Sequence, residues 1–360
     1  MKVTDLRTAA AHVPLPKPIV SALGGIQSFG CLLIYIDTNE GLTGENLIFT
    51  LNNKRLTVFD EMVRSLAPLV VGRDPAFTTR FWQEAWIDIN FVGHKGVPVV
   101  GISAIDGALW DLRGKAAGLP IYRLIGACRS EVPAYASGDL WLSSTIDELQ
   151  AEAARFVEEG FRAVKMRLGK MPVSWNIERV RAVREAIGPD VRLMADANQQ
   201  LTVDEAIRLG RALEAFDLTW FEEPLPPYDI DGVARVAAAL DTPIASGETE
   251  YTKYGFRQML ERQSADVLMP DLQRVGGVTE FIKVAHMAEA HDVPVSAHLF
   301  SEMSLQVLAG LANATFLEYM PWFSPLYAES IELRKGNAFV PERPGWGFSL
   351  DPKAVARFAP

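Results

Sequence analysis

The feature that most constrains what this chain can fold into is a recurrent spacing. Short apolar runs end in an ionisable residue, and Asp196, Glu222, Glu248, Asp271, His298 and Glu318 follow one another at intervals of 26, 26, 23, 27 and 20 positions. One strand-plus-helix unit of an eightfold barrel takes about that many residues, because such barrels run to roughly 250 residues in all. Each residue therefore holds an equivalent place on a successive strand, and a closed ring brings them to one cavity. Strands are expected near 161–168, 191–196, 218–223, 243–248, 265–271, 293–298 and 315–318, with an eighth near 132–137. Amphipathic helices fill the gaps, among them TVDEAIRLGRALEAF, with Thr202 as N-cap, and GVTEFIKVAHMAEAHD. Parallel strands joined by crossover helices admit a doubly wound sheet or a closed barrel, and eight strands favour the barrel. Ahead of this rhythm, residues 30–50 read as a hairpin around Asn39, Glu40 and Gly41, and 55–126 carry helical periodicity, so an α+β domain comes first.

The stretch AVKMRLGK, residues 163–170, places two cations on one face of a strand. Side chains alternate along a strand, so Lys165 and Arg167 point one way while Val164, Met166 and Leu168 point the other. Asp196, Glu222 and Glu248 are the negative company that the register supplies. Three carboxylates in one pocket repel strongly unless a cation sits between them. Oxygen-only ligands with room for water and substrate suit octahedral Mg²⁺, whereas zinc would recruit His or Cys. The alternative for each acid taken alone is a helix cap after a strand. Asn198, in Asp196-Ala197-Asn198, adds an amide able to bond a ligand oxygen. Asp271 and His298 close adjacent strands, so Asp271 could fix the imidazole tautomer and leave the other nitrogen as a base. His286 and His291 lie on the expected helix outside the register and, with His12, read as structural or surface residues. His94 sits in a Gly-flanked loop that either reaches the barrel mouth or is solvated, the second being preferred.

A formal charge of -10 argues against nucleic acid, whose binding draws on clustered Lys and Arg. The first residues lack a signal-peptide h-region, and no apolar run approaches a membrane span of roughly 18 residues, which gives the expectation of a cytoplasmic protein. The only cysteines, Cys31 and Cys128, lack metal or redox spacing and are expected to be buried thiols.

The motifs KMR, DAN, WFEEP, SGE, MPD and SAHLF together resemble the mandelate racemase group of the enolase superfamily, and the likeness runs over nearly the whole chain. The resemblance implies a modified (β/α)₇β barrel over 127–325, an α+β capping domain over 1–126, and a segment over 326–360 that returns to the cap. It further implies that Asp196, Glu222 and Glu248 ligate Mg²⁺, that Glu223 is structural, and that Asp271 and His298 form the dyad. Glu318 corresponds to the acid that bonds the substrate carboxylate, and Lys165 and a protonated Glu318 are expected to aim at that group. Family members are commonly dimers or octamers, so a homo-oligomer acting on a small carboxylate is expected. The family chemistry is removal of the proton α to a carboxylate, giving an enediolate.

Racemisation needs acid/base groups on both faces, and in the racemase pattern the strand reads Lys-x-Lys. Here the second position is Arg167. A guanidinium stays protonated, with a pKa above about 12, and is a poor base but a good donor. The leading expectation is therefore a one-base dehydration of a sugar acid or related hydroxy acid to a 2-keto acid. Racemisation or epimerisation of a 2-hydroxy acid or amino-acid derivative is the alternative, and a non-catalytic metal-binding scaffold is the second. Loops near 15–30 and 48–54 are expected to cover the mouth, where Phe29, Ile19 and Ile26 either line an apolar pocket or pack the loop down. Gly24 and Gly25 would let that loop move.

Overall fold

A computed structural model describes residues 1–21 and 24–360. The chain opens with an antiparallel sheet of β1 (Val3–Ser21), β2 (Gly24–Thr38) and β3 (Thr43–Leu51), ordered β1-β2-β3. The expected hairpin over 30–50 is thus β2 and β3, turning at residues 39–42. The stretch 15–30, expected as a loop, is instead largely paired backbone: Ile19 faces Ile26 across a register shift after Pro14. Pro14, Pro16 and Pro18 hide this strand from sequence reasoning, because proline disfavours strands except at an edge, which is where β1 lies. Helices α1 (Leu56–Ser65), α2 (Thr78–Asp88), α3 (Val97–Ala117) and α4 (Ile121–Ile125) complete this layer. Ile34, Ile36 and Ile48 from the sheet pack with Val99, Ile102 and Ile105 of α3.

Eight parallel strands follow: β4 (Glu131–Ala136), β5 (Ala163–Arg167), β6 (Arg192–Asp196), β7 (Leu218–Glu222), β8 (Ile244–Ser246), β9 (Val267–Leu268), β10 (Val295–Ala297) and β11 (Ala314–Tyr319). Each pairs with the next, and β11 pairs back onto β4, so the ring closes. The crossovers carry α5 (Ile146–Glu158), α6 (Val173–Ile187), α7 (Val203–Leu213), α8 (Ile230–Ala239), α9 (Thr252–Arg262), α10 (Leu272–Val275) with α11 (Val278–Glu289), and α12 (Ser301–Ala309). Among the described residues this is a (β/α)₇β barrel. Thr202 caps α7 in a reciprocal capping box with Glu205, a motif whose loss costs about 1 kcal/mol.

The alternation read from AVKMRLGK holds. Val164, Met166 and Leu168 join the layer between strands and helices, while Ala163 points inward with Tyr135, Met194, Trp220 and Met269. These side chains plug the barrel below the level of Lys165, so the polar groups above rest on a dry floor.

The cap is fixed to the barrel by specific bonds. The Gln273 side chain completes the edge of β3, accepting from the Phe49 N–H at 2.7 Å and donating to its carbonyl at 3.2 Å. Trp110 Nε1 donates to Thr279 Oγ1 at 2.9 Å, and Asp106 accepts from the Thr279 N–H at 3.0 Å. After the barrel come β12 (Glu332–Arg334), β13 (Asn337–Phe339) and α13 (Pro352–Arg357). β13 pairs antiparallel with β4, and Trp346 Nε1 donates to the Glu45 carbonyl at 3.0 Å, so the C-terminal segment touches both barrel and cap. Among the described residues no helix is long and apolar enough to cross a membrane.

Cys31 is buried, but Cys128 is exposed, contrary to expectation. It follows α4 in the loop that leads into β4, where Gly126 and Ala127 are exposed with it. His286 and His291 are exposed, His291 lying in the turn after α11 rather than on it.

Candidate functional site

The strand register brings the expected residues together. Arg167, Asp196 and Glu222 are aligned partners across β5, β6 and β7, and Asp271 and His298 form an isolated parallel bridge past the ends of β9 and β10. Just beyond the strands the backbone turns through left-handed conformations at Asn198, Glu223, Leu299 and Phe300, with φ of 44°, 43°, 52° and 49°. Such strain collects at functional sites because the surrounding fold over-determines it.

Asp196, Glu222 and Glu248 offer oxygens that all lie within 4.8 Å of one another, and all three are buried. Burial raises the pKa of Asp196 and of Glu222, and neighbouring carboxylates raise both further against the pull of Lys165. The donor set is therefore short of positive charge and fits a hard divalent cation. Asn198 clamps Asp196 through its backbone N–H and its amide nitrogen, each at 2.8 Å, and its own Oδ1 is buried without a partner among the described residues. Glu223 turns away. Its Oε1 accepts from Ser246 Oγ and the Gly247 N–H, as the expected structural role requires. Gly247, at φ 127°, permits this approach, since a Cβ there would lie 2.7 Å from the Phe256 ring.

Lys165 Nζ touches Glu222 and stands 2.9 Å from Glu318 Oε1 and 3.9 Å from Asp196 Oδ2. Burial opposes its charge, yet these acids hold its pKa above the ordinary lysine value. Glu318 is a correction to the sequence reading. Its Oε1 also accepts from Ser137 Oγ at 2.6 Å and its Oε2 from the Leu299 N–H at 2.7 Å. Burial would raise its pKa, but Lys165, His298 and Arg167 outweigh burial and hold it at about 2. Glu318 is thus an ionised acceptor that positions Lys165, not a protonated donor.

Arg167 is held in one pose. Nη1 donates to the Ser137 carbonyl at 2.7 Å, Nη2 donates to Ser137 Oγ at 2.8 Å, and the guanidinium lies 4.0 Å over the Trp141 ring. Its Nε is buried without a hydrogen-bond partner among the described residues, 4.0 Å from Asp196. Opposite, His298 Nδ1 lies 2.7 Å from Asp271 Oδ2, while Nε2 faces Glu248 at 3.4 Å. Burial disfavours the imidazolium, but Glu248 and Asp271 outweigh it and raise the pKa to about 9.

Lys165, Arg167, Asp196, Glu248, His298 and Glu318 line one cavity of about 640 Å³ under the cap, together with Asn198, Trp141 and Trp322, whereas Glu222 and Asp271 lie behind its wall. Phe29 does not line it. It is fully buried behind Trp322, stacked at 4.3 Å, so it supports the wall instead of meeting a ligand. Ile26 reaches the cavity and Ile19 faces a neighbouring groove. His94 belongs to neither expected setting, being stacked on Trp86 at 3.9 Å with Nε2 on the Trp86 carbonyl. Sequence reasoning missed Ser137 and Trp141. The strand 132–137 ends in an uncharged residue, so a search for ionisable strand ends passes over it.

Two family models divide the chain: residues 3–126 match the mandelate racemase / muconate lactonizing enzyme N-terminal domain, and 148–354 match the enolase C-terminal domain-like model. The chain belongs to the mandelate racemase / muconate lactonizing enzyme family. Within it, the chain is 35% identical over 359 residues to 3,6-anhydro-alpha-L-galactonate cycloisomerase of Streptomyces coelicolor, covering 99% of both chains. It is 34% identical to L-talarate/galactarate dehydratase of Salmonella typhimurium, covering 98% of this chain and 90% of that one. Among solved structures, a Streptomyces coelicolor racemase with bound magnesium superposes with a TM-score of 0.96 at 34% identity, covering 99% of this chain and 100% of that one.

Proposed function

We propose that this family member is a Mg²⁺-dependent sugar-acid dehydratase that removes the proton α to a carboxylate with a single base. The observation that carries this reading is the asymmetry of the cavity: a His-Asp dyad on one side and a guanidinium fixed by Ser137 and Trp141 on the other. Asp196, Glu222 and Glu248 would hold the cation, and relatives named as dehydratases support the substrate class. When bound, the divalent ion supplies Lewis acidity that lets a carboxylate bear a second negative charge.

The side chains do the rest. Asp271 keeps the proton on Nδ1 of a neutral His298, so Nε2 carries the lone pair that takes the α proton. A cation held by Glu248 would offset the main influence that raises the imidazolium pKa and so would favour the neutral base. Lys165, aligned by Glu318, donates to the carboxylate as its charge grows. The C–O bond at the β carbon then breaks, and the leaving hydroxyl takes the proton from His298 as water. The enol that remains tautomerises to a 2-keto acid.

A second reading rests on the likeness to a cycloisomerase. There the same α-proton removal is followed by departure of a ring oxygen, so the ring opens without loss of water. Racemisation is disfavoured, because Arg167 Nη1 and Nη2 are both committed as donors to Ser137 and the guanidinium is pinned against Trp141. The test is His298→Asn, expected to abolish both turnover and α-proton exchange on every acid that the wild type processes. Exchange persisting in that variant would place the base elsewhere.

A further inference from the structure

The cavity has a second charged wall that the proposed chemistry does not use. Where β3 passes into α1, Asn52, Asn53 and Arg55 all adopt left-handed backbone, with φ of 54°, 55° and 64°. This strained turn sets Lys54 and Arg55 on the cap side of the cavity. Both are exposed, and among the described residues neither has a carboxylate partner, although most other cations around the cavity do or lie against an aromatic ring. Beside them Thr50, only 8% exposed, also lines the cavity. Two helices start at the same wall, α1 at Arg55 and α3 at Gly96, and neither has a side-chain cap or an acidic residue in its first turn. Their free amide ends add positive potential. Two exposed cations without a carboxylate partner among the described residues and two open helix starts form an anion-accepting wall on the cap side of the cavity whose barrel side carries Lys165.

We infer that this wall receives a second carboxylate, so that the acid processed here is a diacid of the aldaric type, anchored at both ends. The inference rests on the dehydratase reading and narrows it, because curated relatives act on diacids and monoacids alike by name. An anion held at Lys54 and Arg55 fixes the far end of the chain and leaves the near carboxylate to Lys165. A monoacid presents only a hydroxyl there, and the cations stay with water.

The experiment compares matched aldaric and aldonic acids of the same configuration, with Mg²⁺ in D₂O, for wild type, Lys54→Gln, Arg55→Gln and the double variant. Wild type is expected to favour the diacid in kcat/KM by between about ten- and a hundredfold, the range of one or two charge-assisted hydrogen bonds. Each variant is expected to shrink that ratio, mainly through the diacid KM, and rising ionic strength to shrink it in wild type. A preference for monoacids, or an equal loss on both acids in the variants, overturns the inference while leaving the enolisation reading intact. No α-proton exchange with any acid overturns the enolisation reading, and the inference with it.

Discussion

Replacing Asp271 with Asn changes one atom of the dyad and nothing else that the fold needs. Asp271 Oδ1 accepts from the backbone N–H groups of Gln273 and Arg274 at 2.8 and 2.9 Å and so caps α10. An amide oxygen keeps both bonds. The amide nitrogen then replaces Oδ2 and presents donors to His298 Nδ1, now 2.7 Å from an acceptor. Two donors cannot share that contact, so the imidazole must carry its proton on Nε2, the atom that has to accept the α proton. A wrong tautomer of this kind costs about 10⁴ in turnover, or roughly 5.5 kcal/mol of barrier. Thermal stability should change by no more than a few degrees, because the helix cap survives. Steady-state kcat, the melting temperature and nitrogen NMR of the imidazole check the three parts. A kcat within about tenfold of wild type, with the tautomer inverted, would refute the assignment of His298 Nε2 as the base.

Arg167→Lys keeps a cation but loses the Ser137 carbonyl bond and the Trp141 stack, the latter worth about 0.5–2 kcal/mol. Turnover should fall about ten- to a hundredfold, as steady-state kinetics on the acid that the wild type processes will report. Chelation of divalent ions should abolish activity and lower the melting point. At an effective dielectric of about 20, each ionised pair of the triad repels by roughly 3.5 kcal/mol at 4.8 Å, and Mg²⁺ at a hundred times its Kd should restore about 2.7 kcal/mol. Asp106, buried between α3 and Thr279, has its pKa raised by burial from 3.8 to about 7. The folded state therefore holds this proton more tightly than the unfolded chain, so its contribution is present below about pH 4 and lost as pH rises through about 7. Asp106→Asn should flatten that decline in urea midpoints.

The barrel was legible because function and fold share one period. Residues that end successive strands must be chemically special to serve a central site, and their spacing counts the βα units. The same logic explains what was not legible. Ser137 and Trp141 hold Arg167 but carry no charge, and β1 conceals its pairing behind three prolines. Phe29 reads as a pocket residue by composition, yet only packing decides that Trp322 stands in front of it. The ionised state of Glu318 depends on Lys165, His298 and Arg167 gathered around it from other strands, which its own strand-end position does not announce.

The central claim is that one base, His298, removes the α proton and that the product leaves as a keto acid. The most direct measurement follows deuterium in D₂O with Mg²⁺ and a sugar acid that the enzyme turns over. The product should be a 2-keto acid with one deuterium at C3, and recovered substrate should keep its configuration at C2. Recovered substrate inverted and deuterated at C2, without keto acid, would contradict that claim.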